Sequence, residues 1–189
     1  MHVQNPKNLM RYLIIVLVLL FFTFGKVSAQ DETTPNSKPK KHAIALVISH
    51  TQINEGLDEN GEKQWLSLPS WGINYNYYLN KKWALGIHSD IIVEDFVVES
   101  LGRSGETIER SYPIASALVV SYKPGEHFSF MLGTGGEFTK DQSFFMLRLG
   151  IEYSYHMNQN WELIANLLND LKLNGYNSWG VGLGVAYRL

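Results

Sequence analysis

From His42 to Leu189 the sequence alternates, with large apolar side chains on one parity and small or polar ones on the other. Successive side chains of a β-strand point to opposite faces, so a period of two reads as strand with one apolar face. The alternation comes in eight runs, at about 43–49, 70–79, 83–94, 114–122, 128–138, 145–156, 161–172 and 179–189. The sixth is the clearest. Phe145, Leu147, Leu149, Ile151, Tyr153 and Tyr155 oppose Arg148, Gly150, Glu152, Ser154 and His156.

Eight strands suffice to close a barrel, which leaves no exposed edge. The connections predict an up-and-down order. Three tight polar turns (79–83, 123–127 and 157–161) alternate with longer hydrophilic loops at 52–64 and 95–107 and shorter ones at 139–143 and 173–177. Short turns at one end and longer loops at the other are the habit of transmembrane barrels. Pro69 and Pro113 lack a ladder donor and are expected at strand starts or bulges.

Alternation alone leaves two barrels open. A soluble, lipocalin-like barrel turns its apolar face inward, and a membrane barrel turns it to lipid. Three features favour lipid. The polar parity is rich in Gly, Ala, Ser and Asn, which suits a narrow lumen better than a wetted wall. Aromatics gather beside the tight turns: Tyr75, Tyr77, Trp83, Tyr122, Phe128, Tyr153, Tyr155, Trp161 and Tyr187. Amphipathic rings favour the boundary between hydrocarbon and water. The strands are also about ten residues long, enough to cross a bilayer at the usual tilt. The expected fold is all-β, an eight-stranded antiparallel up-and-down transmembrane β-barrel over residues 42–189.

The N-terminus reads as an export signal. Lys7 and Arg11 precede an unbroken apolar run from Tyr12 to Phe24, and Val27-Ser28-Ala29 places small residues for cleavage before Gln30. A spanning helix needs about 20 apolar residues, more than this run supplies. Residues 1–29 are therefore expected to be a signal peptide and 30–41 a flexible polar leader. The signal carries three basic residues and no acid, so the remaining chain has 13 basic and 18 acidic residues, net −5. The chain has no cysteine, which excludes disulfides, thiolate metal sites, cysteine nucleophiles and a lipid-bearing N-terminal cysteine. No basic patch points to nucleic acid.

Export signal, eight alternating strands, aromatic girdle and the closing run Trp179–Leu189 resemble the small outer-membrane β-barrel family, the OmpA/OmpX-like group. The resemblance covers residues 42–189 and rests on pattern, without a catalytic motif. It implies a place in the outer membrane of a Gram-negative cell, among lipid and lipopolysaccharide, and insertion by the barrel-assembly machinery. Members commonly end in an aromatic residue; this chain ends Tyr187-Arg188-Leu189.

The polar parity carries His88, Asp90, Glu94, Glu137, Arg148, Glu152, Glu162, Asp170, Lys172 and Arg188. An isolated charge inside a narrow barrel is costly, so these should pair. Arg148 and Arg188 are expected to pair with Glu137 and Glu152 as a lumen charge cluster, with Gly133, Gly135, Gly180, Gly182 and Gly184 making room. His88-Ser89-Asp90 has the residue types of a triad, but strand geometry splays Ser89 to the other face. His127-Phe128-Ser129 resembles part of the His-x-Ser arrangement of lipid A deacylases, with Phe130 where those enzymes carry Asn. No metal-ligand spacing occurs. Asp58-Glu59-Asn60-Gly61-Glu62 reads as a solvated turn, and Gly133-Thr134-Gly135-Gly136 lies within a strand and precedes no helix, unlike a phosphate-binding loop.

The leading expectation is therefore a protein without catalytic, cofactor or metal site, acting structurally or by binding an extracellular ligand through loops 52–64 and 95–107. A narrow porin, a lipid-modifying barrel enzyme and a secreted soluble binding barrel remain the alternatives.

Overall fold

The computed structural model describes residues 40–58, 60–102 and 105–189. The expected signal peptide, 1–29, and all but the last two residues of the expected polar leader lie outside them. Ten strands occur among the described residues, in one sheet. They are β1 (His42–Leu57), β2 (Lys63–Tyr78), β3 (Trp83–Ile92), β4 (Asp95–Glu99), β5 (Thr107–Ser111), β6 (Ile114–Tyr122), β7 (Phe128–Phe138), β8 (Ser143–His156), β9 (Trp161–Lys172) and β10 (Asn177–Arg188). Eight of them, all but β4 and β5, form an antiparallel barrel that β10 closes onto β1.

The register fixes the barrel's shape. A path along the ladder from His42 passes Tyr77, Leu85, Val120, Leu132, Leu149, Asn169 and Trp179. It re-enters β1 at Gln52, so 52 − 42 gives a stagger of ten residues. Ten rises of about 3.3 Å against eight spacings of about 4.8 Å give a strand tilt of about 41° and a backbone radius of about 8 Å. Side chains fill a barrel of that width.

The apolar parity faces outward. Leu46, Ile48, Leu118, Leu132, Leu149 and Leu183 are all more than half exposed on the barrel wall. Ala45, Val47, Ala117, Val119 and Met131 of the opposite parity are buried in the lumen. The soluble alternative, with its apolar face inward, is overturned by this orientation. The wall presents an apolar belt about 25 Å tall, the hydrocarbon span expected of such barrels.

The structure places all nine sequence-selected aromatics on outward positions next to the short turns, within a band roughly 9 Å tall. They pack across neighbouring strands, with ring centroids 4.7 Å apart for Trp83 and Tyr122, 5.2 Å for Phe128 and Tyr153, and 4.9 Å for Trp161 and Tyr187. Both ends of the barrel chain meet this rim, where the Leu189 amide donates to the His42 carbonyl at 2.8 Å. At the other end Trp71, Phe138, Phe145 and Trp179 stand exposed on the wall.

Two expected loops prove to be structured. The segment 52–64 extends β1 and β2 into a hairpin that stands above the belt, leaving a turn of about five residues at 58–62. The segment 95–107 contributes β4 and the start of β5, a hairpin that attaches to β1 through Gly56 and Val98. Pro113 stands immediately before β6, where a ladder donor is not needed. Pro69 lies within β2, paired with His50. Its carbonyl accepts from Val93, so its missing N–H faces the same side, just beyond the last β2–β3 pair, Ser70 with Ile92.

Candidate functional site

The lumen is stacked with charge in three layers. In the layer nearest the long-loop end, Arg110 donates to Glu137 through Nε at 3.0 Å and Nη2 at 2.6 Å. Its Nη1 donates to the Thr139 hydroxyl and the Gln142 carbonyl. The other Glu137 oxygen accepts from the Tyr176 hydroxyl at 2.7 Å and pairs with Lys172 at 3.4 Å. Lys172 also donates to the Ser178 hydroxyl and lies over the Tyr176 ring. Arg110 and Glu137 are each only 1% exposed, so every polar atom there needs such partners.

In the middle layer Arg148 grips Asp170 with two parallel bonds of 2.7 Å, and its third nitrogen reaches Asp90 at 2.6 Å. This is the fork geometry that makes arginine effective on carboxylates. Cross-strand register brings it about, because Arg148 lies directly opposite Asp170 on β9 and opposite Gly133 on β7. Glycine at 72 leaves the space that Asp90 fills, since a Cβ there would overlap the carboxylate. In the layer at the short-turn end Glu162 pairs with Arg188 and with His156 at 3.2 Å, and Arg188 lies over the Tyr78 ring.

The expected pairing is thus corrected. Arg148 takes Asp90 and Asp170, Arg188 takes Glu162, and Glu137 takes Arg110, Lys172 and Tyr176. Glu152 makes no ion pair or hydrogen bond among the described residues. Charges pair by height along the barrel axis, and Arg148 lies between the levels of Glu137 and Glu152, too far from either. Glu94 is also corrected, for it is exposed where β3 gives way to β4. A cavity of about 30 Å³ lies beside the middle layer, lined by Ser49, Ser70, Asn166 and Arg148, with room for a water or two.

Over the long-loop end the β4–β5 hairpin forms a cap. Phe96, Val98 and Ile108 turn inward and pack with Ile53, Leu68, Ile92, Phe144 and Tyr176. The rings of Phe96 and Tyr176 meet edge to face at 5.8 Å. Backbone bonds lash the cap to the β9–β10 turn, with the Leu101 amide on the Gly175 carbonyl at 2.7 Å. On the cap's outer surface Asp95, Glu106 and Glu109 are exposed. Lys63 of the β1–β2 hairpin pairs with Glu99 at 2.7 Å, which holds the Glu99 carboxyl below its ordinary range and the Lys63 amine above its own. Asp58 is likewise held low, chiefly by the Glu62 amide that it accepts in the tip turn.

No catalytic constellation forms from the sequence candidates. His88 is buried in the lumen against Asn76, while Ser89 faces outward and bonds Ser116. His127 sits exposed in a short turn beside the Ser154 carbonyl, and Ser129 is buried inside. Among the described residues no group of three or more His, Asp or Glu could hold a metal ion. Sequence reading missed Arg110 and Tyr176. The signal present was the short alternation Thr107-Ile108-Glu109-Arg110-Ser111, in a segment that its polarity marked as loop.

No protein-family model matches the chain, and no curated protein sequence does. Solved structures do. The outer membrane protein OprG of Pseudomonas aeruginosa superposes with a TM-score of 0.53 at 14% identity, over 81% of this chain and 98% of that one. The N-terminal β-barrel domain of OprF from the same organism gives 0.50 at 14% identity, over 80% and 100%. Ail, the attachment invasion locus protein of Yersinia pestis, gives 0.49 at 14% identity, again over 80% and 100%. The chain has the fold of the small eight-stranded outer-membrane barrels.

Proposed function

We propose that this is a non-enzymatic outer-membrane protein that works by binding at the cell surface, its barrel serving as a closed and rigid pedestal. The β1–β2 and β4–β5 hairpins form the binding end, facing outward, and the short turns face the periplasm. Lipopolysaccharide would surround the outer part of the belt, and the barrel-assembly machinery would insert the chain.

The observation that carries this reading is the cap. It seals the lumen with an apolar cluster above three ion-pair layers, while one edge of β5 makes no strand pairing among the described residues. A free strand edge offers backbone donors and acceptors to an extended partner. The acidic outer face of the hairpin favours a partner with positive charge.

The test compares cells displaying the intact protein with cells displaying a variant whose 95–111 segment, the whole β4–β5 hairpin, is replaced by a short glycine-serine linker. Attachment to host-cell or matrix surfaces should fall to background with the variant, and the intact protein should give no conductance steps in a planar bilayer. Equal attachment by both, or steady conductance from the intact barrel, would overturn the proposal.

A further inference from the structure

Among the described residues two half-buried charges at the short-turn end stand outside the three layers. Glu152 and Lys123 have no ion pair or hydrogen bond among the described residues, and both line the same cleft at the short-turn end of the barrel. The lining adds Lys81 and Lys82 at the rim, Ser121 and Ser129 deeper in, and Trp83. Backbone pairing holds this rim together, since the Lys123 amide donates to the Lys82 carbonyl at 2.7 Å. Burial pulls the Lys123 amine below its ordinary range, so an anion beside it would be welcome.

The cleft is lined by charge of both signs. Lys81 and Lys82, both exposed, and Lys123 bring ammonium groups to it, and Glu152 brings a carboxylate. Its cavity of about 20 Å³ has room for about one water. A simple anion would satisfy the lysines and leave Glu152 alone. A simple amine would satisfy Glu152 and leave the lysines. A phosphate with a pendant primary amine satisfies both, because an ammonium is itself about the size of a water.

We propose that the cleft binds a phosphoethanolamine head group, its phosphate at Lys81, Lys82 and Lys123 and its ammonium directed to Glu152. Trp83 belongs both to the cleft and to the outward aromatic girdle. A head group held there leaves its glycerol end beside the lipid-facing wall, which favours a phospholipid of the periplasmic leaflet as its source. This site lies at the opposite end of the barrel from the surface-binding hairpins and does not depend on their role.

The test uses the folded full-length barrel in a maltoside detergent, which carries neither phosphate nor amine. It is titrated with dihexanoyl phosphatidylethanolamine, with the phosphatidylglycerol of equal chain length, and with glycerophosphoethanolamine. Binding is read from the amide shifts of Ser121 and Ser129 and the indole shift of Trp83. The intact protein should prefer the ethanolamine lipid to the glycerol lipid by about tenfold, the worth of one bond to a charged group. Lys81→Ala with Lys82→Ala should weaken both lipids by about tenfold or more. Glu152→Gln should abolish the preference while leaving the glycerol lipid bound as before. Heat-dependent gel migration confirms that each variant is folded, and the two lysines are exposed, so their loss spares the barrel.

Tighter binding of the lipid than of glycerophosphoethanolamine identifies a membrane source, and equal binding identifies a soluble phosphorylated amine. Equal affinity of the intact protein for the two lipids, or an unchanged preference in Glu152→Gln, would overturn the assignment.

Discussion

Arg110→Ala should release the cap while leaving the barrel intact. The guanidinium makes four hydrogen bonds, lies over the Phe144 ring at 4.8 Å and is 1% exposed. Removing one partner of a buried ion pair costs about 3–5 kcal/mol, mostly because the other charge is stranded. Here Glu137 keeps Lys172 and Tyr176, which puts the loss near the lower end, at about 3 kcal/mol. Arg110 lies on β5 and Glu137 on β7, so the loss falls on the joint between cap and wall and not on any barrel ladder. Local opening of the hairpin should therefore become easier by that amount. At 1.4 kcal/mol per factor of ten, amide exchange in β4 and β5 should accelerate roughly 150-fold. The assay is hydrogen exchange by mass spectrometry in detergent, following Phe96, Val98 and Ile108 against Leu118 and Leu149. Unchanged exchange in the hairpin would refute the reasoning, and so would equal acceleration in β6 and β8, for the cap would then be no separate unit.

Other perturbations test the wall, the packing and the tip. Leu149→Arg, close to the middle of the belt, should cost about 2–4 kcal/mol in urea-driven unfolding from lipid, and Tyr155→Arg in the girdle about 0–1. Gly135→Ala should cost about 1–3 kcal/mol in the same assay, because a Cβ there would overlap the Ser116 carbonyl of β6. Pro69→Ala should be close to neutral. The Lys63–Glu99 bridge has a definite pH window. Glu99 is held low, so its contribution exists above its ordinary value of 4.5 and is lost as pH falls through its lowered one. Lys63 is held high, so its contribution exists below 10.5 and is lost as pH rises through its raised one. Exchange protection at the hairpin tips should hold across the neutral range, decline at both extremes and weaken with added salt.

The belt was legible in the sequence because lipid imposes a simple rule, apolar out and small or polar in. Strands β6 to β10 keep an apolar outer face along most of their length, though Val119, Met131, Met146, Ile164 and Leu168 fill the lumen, and their positions could be read within a few residues. Above the belt the rule inverts. There the surroundings are water, and Leu66, Leu68, Phe96, Val98 and Ile108 turn inward while Ser67, Asp95, Thr107 and Glu109 turn out. The period of two survives with opposite parity and fewer apolar residues, so the hairpins read as loops. The charge cluster was legible in kind and not in pairing. Arg148 had to have carboxylate partners, but their identity follows from register and tilt, which bring Asp170 alongside and lift Glu137 out of reach. Arg110 escaped notice for the same reason as β5, since its segment carries the composition of a loop.

The claim on which the rest depends is that the apolar parity faces hydrocarbon. It can be tested on the unmodified protein in bilayers that contain a phospholipid with a diazirine in its acyl chain. After photolysis, mass spectrometry of the β6 and β8 peptides locates the adducts residue by residue. The account predicts adducts at Leu118, Val120, Leu147 and Leu149, and none at Ala117, Val119, Arg148 or Gly150. Adducts on the second set, or spread evenly over both, would contradict it.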